Sequence, residues 1–107
     1  MKAYIAGKIT GDPNYREKFQ WAREDLTGQG FTVLDPAALP EGMSPVDYMR
    51  ICFSMMESAD VVAFLPDYSE SRGAQLEWAW CQYVGKTTMY LAAMNFYRPY
   101  PRGEAHP

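Results

Sequence analysis

The five residues Val61-Val62-Ala63-Phe64-Leu65 form an unbroken apolar run between Asp60 and Pro66. A strand with one wet face alternates apolar and polar side chains. A run without alternation fits a strand covered on both faces, as in parallel sheets flanked by helices. Three more segments read as strands: residues 3–6, residues 31–34 (Phe31-Thr32-Val33-Leu34) and residues 87–91 (Thr87-Thr88-Met89-Tyr90-Leu91).

Between them lie three stretches of helical period. In residues 14–28, Tyr15, Phe19, Ala22 and Leu26 recur at three- and four-residue spacing, and Arg16, Lys18, Arg23 and Glu24 fill the other face. Gly28 and Gly30 end that helix. Ser44-Pro45-Val46-Asp47 opens a second, with Ser44 as cap, Pro45 at the first helical position and Asp47 three residues after the cap. It carries Tyr48, Ile51, Cys52, Met55 and Met56 and ends near Ser58. Residues 72–84 form the third, stopped by Gly85. Residues 36–43 and 66–70 read as loops, and Phe19, Trp21, Leu26 and the Met-rich second helix as core. The tail, residues 92–107, is rich in Pro and Tyr and has no assignable pattern.

The order β-α-β-α-β-α-β predicts one α/β domain over 1–107, with a core at 2–91. Its architecture is a flavodoxin-like, Rossmann-like parallel four-stranded sheet with helices on both faces, because helices of this length between strands imply right-handed parallel crossovers. In such sheets ligands bind outside the C-terminal strand ends, where the strand order switches. That rule gathers Gly7 to Gly11, Asp35, Asp67 to Gly73 and Ala92 to Asn95 before any motif is considered.

Composition narrows the function classes. Of 107 residues 48% are hydrophobic and 21% charged, a globular balance. The net charge of −3 and the lack of a basic stripe argue against a nucleic-acid polymer as partner. No apolar run approaches the roughly 18 residues of a membrane span. Met1-Lys2 leads straight into Ala3-Tyr4-Ile5-Ala6, too short for a signal-peptide core. Cys52 and Cys81 form no CxxC pair and the lone His106 lies in the tail, so a disulfide framework and a cysteine or histidine metal site are not expected, and a reducing cytoplasm is the expected location. Gly7-Lys8-Ile9-Thr10-Gly11 is neither a dinucleotide fingerprint nor a P-loop.

Four features carry chemistry. Ser71, Arg72 and Gly73 open the third helix, where free backbone N–H groups suit a phosphate or carboxylate; they also read simply as a cap and a packing glycine. Glu77 has Gly73, Ala74, Trp80 and Cys81 as its neighbours on the helix surface, all uncharged. A carboxylate so placed, desolvated, can attack an anomeric carbon or act as acid/base; the plainer alternative is a surface Glu pairing with Arg72 or Lys86. Asp35 and Asp67 stand at the ligand-binding end and read either as sugar-hydroxyl acceptors or as turn residues, with Lys8 as a possible anion contact; Asp60, at the opposite end, reads as structural. The third helix is apolar nearly all round, which predicts a homodimer through residues 72–84, with the tail folded over it as the alternative.

Three motifs, Tyr4-Ile5-Ala6-Gly7-Lys8-Ile9-Thr10-Gly11, Asp60-Val61-Val62-Ala63-Phe64-Leu65-Pro66 and Ser71-Arg72-Gly73-Ala74-Gln75-Leu76-Glu77, resemble the nucleoside 2-deoxyribosyltransferase-like superfamily, and most nearly its small DUF4406-type branch, common in phage and prophage genomes. The resemblance spans residues 2 to about 91. It implies cleavage of the N-glycosidic bond of a nucleoside or nucleotide, with Glu77 as the nucleophile at C1′ and Tyr4 positioning that carboxylate or the sugar, a chemistry that calls for no metal or organic cofactor. It further implies that Gly7 and the backbone after it, Lys8, Ile9 and Gly11, line the sugar pocket, and that Ser71 and Gly73 hold the 5′ end. Ser71 matches the nucleotide hydrolases better than the transferases, which tilts the expectation to hydrolysis of deoxynucleoside 5′-monophosphates. Base exchange between deoxynucleosides and a catalytically weak nucleotide-binding protein are the alternatives. One departure stands out: where the family usually carries an Asp, eight residues before Asp60, this chain has Cys52, and a neutral thiol is a weak donor and a poor base.

Overall fold

The computed structural model describes residues 1–92. Strands β1 (Lys2–Ala6), β2 (Thr32–Leu34), β3 (Val61–Phe64) and β4 (Thr88–Tyr90) alternate with helices α1 (Tyr15–Gly28), α2 (Pro45–Ser58) and α3 (Arg72–Val84). All pairings are parallel and the order is β2-β1-β3-β4. Every expected strand and helix is present, with bounds shifted by one residue at most ends. The expected loops contain two short 3-10 turns, Pro36–Ala38 and Tyr68–Glu70. Asp35 stabilises the first by accepting from the Ala37 N–H at 2.9 Å. The expectations for residues 93–107 lie outside the described residues.

The chain moves from β1 to β2 on one side and then crosses to β3 and β4 on the other, so right-handed crossovers put α1 on one face and α2 and α3 on the opposite face. The period-2 alternation of β1 divides accordingly. Ala3 and Ile5 join Phe19, Ala22 and Leu26 of α1. Tyr4 and Ala6 join Met56 of α2 and Cys81 of α3. The switch in direction lies between β1 and β3, which pair in register as Tyr4 to Val62 and Ala6 to Phe64.

Caps match the sequence logic. Ser44 accepts from Asp47 N–H, Ser71 accepts from Ala74 N–H, and Gly85 takes the left-handed conformation at φ 76° that ends α3. Asp60 is structural, as expected: its carboxylate accepts from Lys2 N–H at 2.7 Å and ties the N-terminal ends of β1 and β3. Two expectations are corrected. The second helix is not mainly core. Only Met56 is buried in it, and Ile51 is exposed, because α2 crosses above β1 at the edge of a layer shared with α3. Lys18 does not lie on a solvated face. It is 4% exposed, because it shares the stripe of Ala22 and Leu26 at four-residue spacing and finds acids in the loops below.

Candidate functional site

Tyr4 projects from the middle of β1 toward α2 and α3 and is fully buried. Its hydroxyl donates to Glu77 Oε2 at 2.6 Å, joining residues 73 positions apart. Glu77 lies in the second turn of α3 and is 6% exposed. The surface ion pair with Arg72 or Lys86 is therefore not what this carboxylate makes. Burial raises its pKa to about 7, against the opposing effect of the Tyr4 hydrogen bond. Tyr4 is pushed well above its ordinary value, first by burial and then by the adjacent Glu77 charge, so it stays a neutral donor. The half-buried Cys52 thiol of α2 faces the same pair, and its pKa too is raised by burial. Cys81, one turn beyond Glu77, is raised to about 11 by burial and by the neighbouring carboxylate.

Helix α3 is held from both flanks, which fixes where Glu77 points. Trp78 Nε1 donates to the Tyr90 hydroxyl at 2.9 Å on the β4 side, and Phe53 of α2 meets Trp80 edge-on at 5.8 Å. Gly73 stands one turn above Glu77, at the strand C-terminal end. A Cβ there would make only ordinary contacts, 3.8 Å from Met49 Cε and 4.0 Å from Ser71 Oγ. Packing within the chain therefore makes no demand for glycine at this place. Met49 of α2 and Gly73 of α3 therefore stand close together, about one turn from Cys52 and Glu77, whose layer packs on Tyr4.

A second cluster sits at the switch point itself. Lys18 Nζ contacts Asp67 Oδ2, Asp12 Oδ2 at 2.5 Å and the Lys8 carbonyl at 2.8 Å. Asp67 Oδ1 also accepts from Lys8 N–H at 3.1 Å. The loops after β1 and β3 are locked together by this cluster, with Gly11 turning the first at φ 83°. Lys8 Nζ reaches Glu70 at 3.9 Å. Gly7 has its own structural demand: a Cβ there would come within 2.5 Å of Leu65 Cδ1 and 2.9 Å of Leu65 Cβ.

Of the sequence-derived residues, the fold brings together Tyr4 and Glu77, with Gly73 and Ser71 a turn above. Asp67, Lys8 and Gly11 assemble around Lys18. The Ile9 side chain packs with the α1-side cluster, and Asp35 pairs with Arg23 of α1 at 3.2 Å, so both side chains engage the α1 layer rather than Glu77. Sequence reasoning missed Lys18. The signal was its place on the buried stripe of α1, near two loops that each carry an Asp.

Among solved structures the chain is similar to a 2-desoxiribosyltransferase from Leishmania mexicana, with a TM-score of 0.66 and 18% identity over 84% of this chain and 63% of that chain. At that identity the likeness establishes a shared fold, the one expected from the strand and helix order. No curated protein matches the chain. The family model described as Domain of unknown function (DUF4406) matches residues 1–90, as the three motifs anticipated, and the chain belongs to that family.

Proposed function

We propose that the protein cleaves the N-glycosidic bond of a deoxynucleoside 5′-monophosphate, with Glu77 as the nucleophile at C1′. The observation that carries this reading is a carboxylate 6% exposed and held at 2.6 Å by a buried tyrosine hydroxyl, a burial that raises its pKa to about 7. Loss of the base generates an oxocarbenium-like centre, which a nearby carboxylate stabilises or captures. A desolvated carboxylate is a stronger nucleophile than a hydrated one, and its ionised fraction at neutral pH is substantial. Tyr4 keeps Oε2 in place and leaves Oε1 to face the sugar.

The remaining roles follow from position. The N-terminal turn of α3, with Ser71 and Gly73, receives the 5′-phosphate, where backbone N–H groups and the helix dipole favour an anion. The backbone of Gly7, Lys8, Ile9 and Gly11, stiffened through Asp67 and Lys18, forms the wall of the sugar pocket, and Asp35 stands beyond it. The protein works as a cytoplasmic homodimer that covers the exposed α3 residues Leu76, Tyr83 and Val84, the second of them 91% exposed. Transfer of the deoxyribosyl group to another base is the second reading, favoured by the fold shared with a 2-desoxiribosyltransferase.

The test is chromatographic release of free base from a panel of deoxynucleoside 5′-monophosphates and deoxynucleosides, by the wild type and Glu77→Ala, with and without an added acceptor base. Release that Glu77→Ala abolishes supports the proposal, and a requirement for acceptor assigns transfer. Binding without release from any substrate refutes it and leaves a nucleotide-binding protein.

A further inference from the structure

The pair Tyr4–Glu77 has a third neighbour of defined chemistry, and its chemistry constrains the substrate. Glycosidases ordinarily place two carboxyl groups about the scissile bond, one to meet the anomeric carbon and one to protonate the leaving group. Among the described residues, the titratable side chains that act on Glu77 come from three elements: Tyr4 of β1, Cys52 of α2 and Cys81 of its own helix. Cys52 of α2 is half-buried, packs against the cluster that holds Tyr4, and interacts electrostatically with Glu77. Cys81 is fully buried below the carboxylate, and the Tyr4 hydroxyl is already committed to Glu77 Oε2.

We infer that Cys52 makes this site selective for bases that depart without being protonated, in particular purines carrying a fixed positive charge on the imidazole ring. This inference rests on the glycosidic cleavage proposed above. The bond changes balance without a protein acid. Glu77 Oε1 forms a bond to C1′ as the C1′–N9 bond breaks, and that electron pair leaves with the base. An N7-alkylated purine carries a positive charge beforehand, so it departs neutral and takes up no proton. Water then attacks C1′, the ester C–O bond breaks with its electrons returning to the Glu77 carboxylate, and the proton of the water passes to solvent. An ordinary purine or pyrimidine would have to leave as an anion. Burial raises the thiol pKa of Cys52, which makes it a still weaker proton donor at neutral pH.

The experiment compares 2′-deoxyguanosine 5′-monophosphate with its N7-methyl derivative, measuring kcat/KM for base release above the enzyme-free rate. A positioned general acid contributes about 100-fold to 10,000-fold, so the wild type is expected to favour the methylated substrate by about 100-fold or more. Cys52→Asp, which puts a carboxyl group near Glu77, is expected to raise the rate on the unmethylated nucleotide and narrow the ratio to within about tenfold, while Cys52→Ser keeps the wild-type ratio, since a hydroxyl is no better an acid. The inference is overturned if the wild type releases guanine and N7-methylguanine at rates within about tenfold of each other, a result that needs no variant to fold. It is also overturned if folded Cys52→Asp keeps the wild-type ratio. Release from neither guanine nucleotide also overturns the inference, whereas release from no member of the deoxynucleotide and deoxynucleoside panel overturns the glycosidic reading itself, and so the two failures are separated.

Discussion

Glu77→Gln gives a direct readout of how far burial controls the proposed nucleophile. The glutamine is nearly isosteric and its amide oxygen still accepts from the Tyr4 hydroxyl, so the variant removes the ionisation and little else. In the folded protein Glu77 has its pKa raised from 4.5 to about 7 by burial. Between those values the native state holds a proton that the unfolded chain has released. Stability therefore falls as pH rises through that window and stays at the lower level above it. At 1.36 kcal/mol per pKa unit, the full effect above pH 7 is about 3 kcal/mol. For a domain of this size, about 1 kcal/mol corresponds to roughly 4–8 °C in Tm. Thermal unfolding of wild type and Glu77→Gln at pH 4.5 and pH 8.5 checks this. The two should melt together at the lower pH, and the variant should melt about 10 °C or more higher at the upper pH. A Tm difference that is the same at both pH values would refute the reasoning, because it would mean that Glu77 titrates as a hydrated carboxylate.

Other expectations bear on neighbouring parts of the site. Tyr4→Phe removes the hydrogen bond that lowers the Glu77 pKa, so the midpoint of the Glu77 titration, followed by carboxyl carbon NMR, should move above its wild-type position near 7. Lys18→Met strips the buried cation from Asp12 and Asp67 and should cost about 3–5 kcal/mol in urea unfolding, with partial recovery when Asp67→Asn is added. Gly7→Ala drives a Cβ against Leu65 and should destabilise by about 1–3 kcal/mol. Gly73→Ala has room within the chain and should leave stability equal or up to about 1 kcal/mol higher, while reducing base release by narrowing the approach to Glu77. Reduced stability with intact activity would reverse the reading of Gly73.

Much of the fold was legible because its signals are local. The unbroken run of β3, the Ser44-Pro45 start of α2 and the Gly85 stop of α3 each act within a few residues through burial period, capping or backbone conformation. The short 3-10 turns were not read, since single turns held by one carboxylate or by backbone bonds leave no periodic pattern. Lys18 was misread for a related reason. Its position on the apolar stripe was visible, but a lysine on a stripe edge reads as solvated until the acids that receive it are located in space.

Sequence by itself determined the order of strands and helices, the parallel sheet that this order compels, and the placement of Glu77 among uncharged helix neighbours. Only the tertiary structure decided what those residues meet. The crossover from β2 to β3 carries α2 over β1, and this sets Cys52 beside Tyr4; the next crossover lays α3 so that Glu77 reaches a hydroxyl 73 residues away. The same topology turns Asp35 and Ile9 toward α1 and buries Lys18 between two loops. Local pattern specifies which face of each element is apolar. The pairing of faces, and so the desolvation and hydrogen bonding that give Glu77 its chemistry, arises when the elements pack.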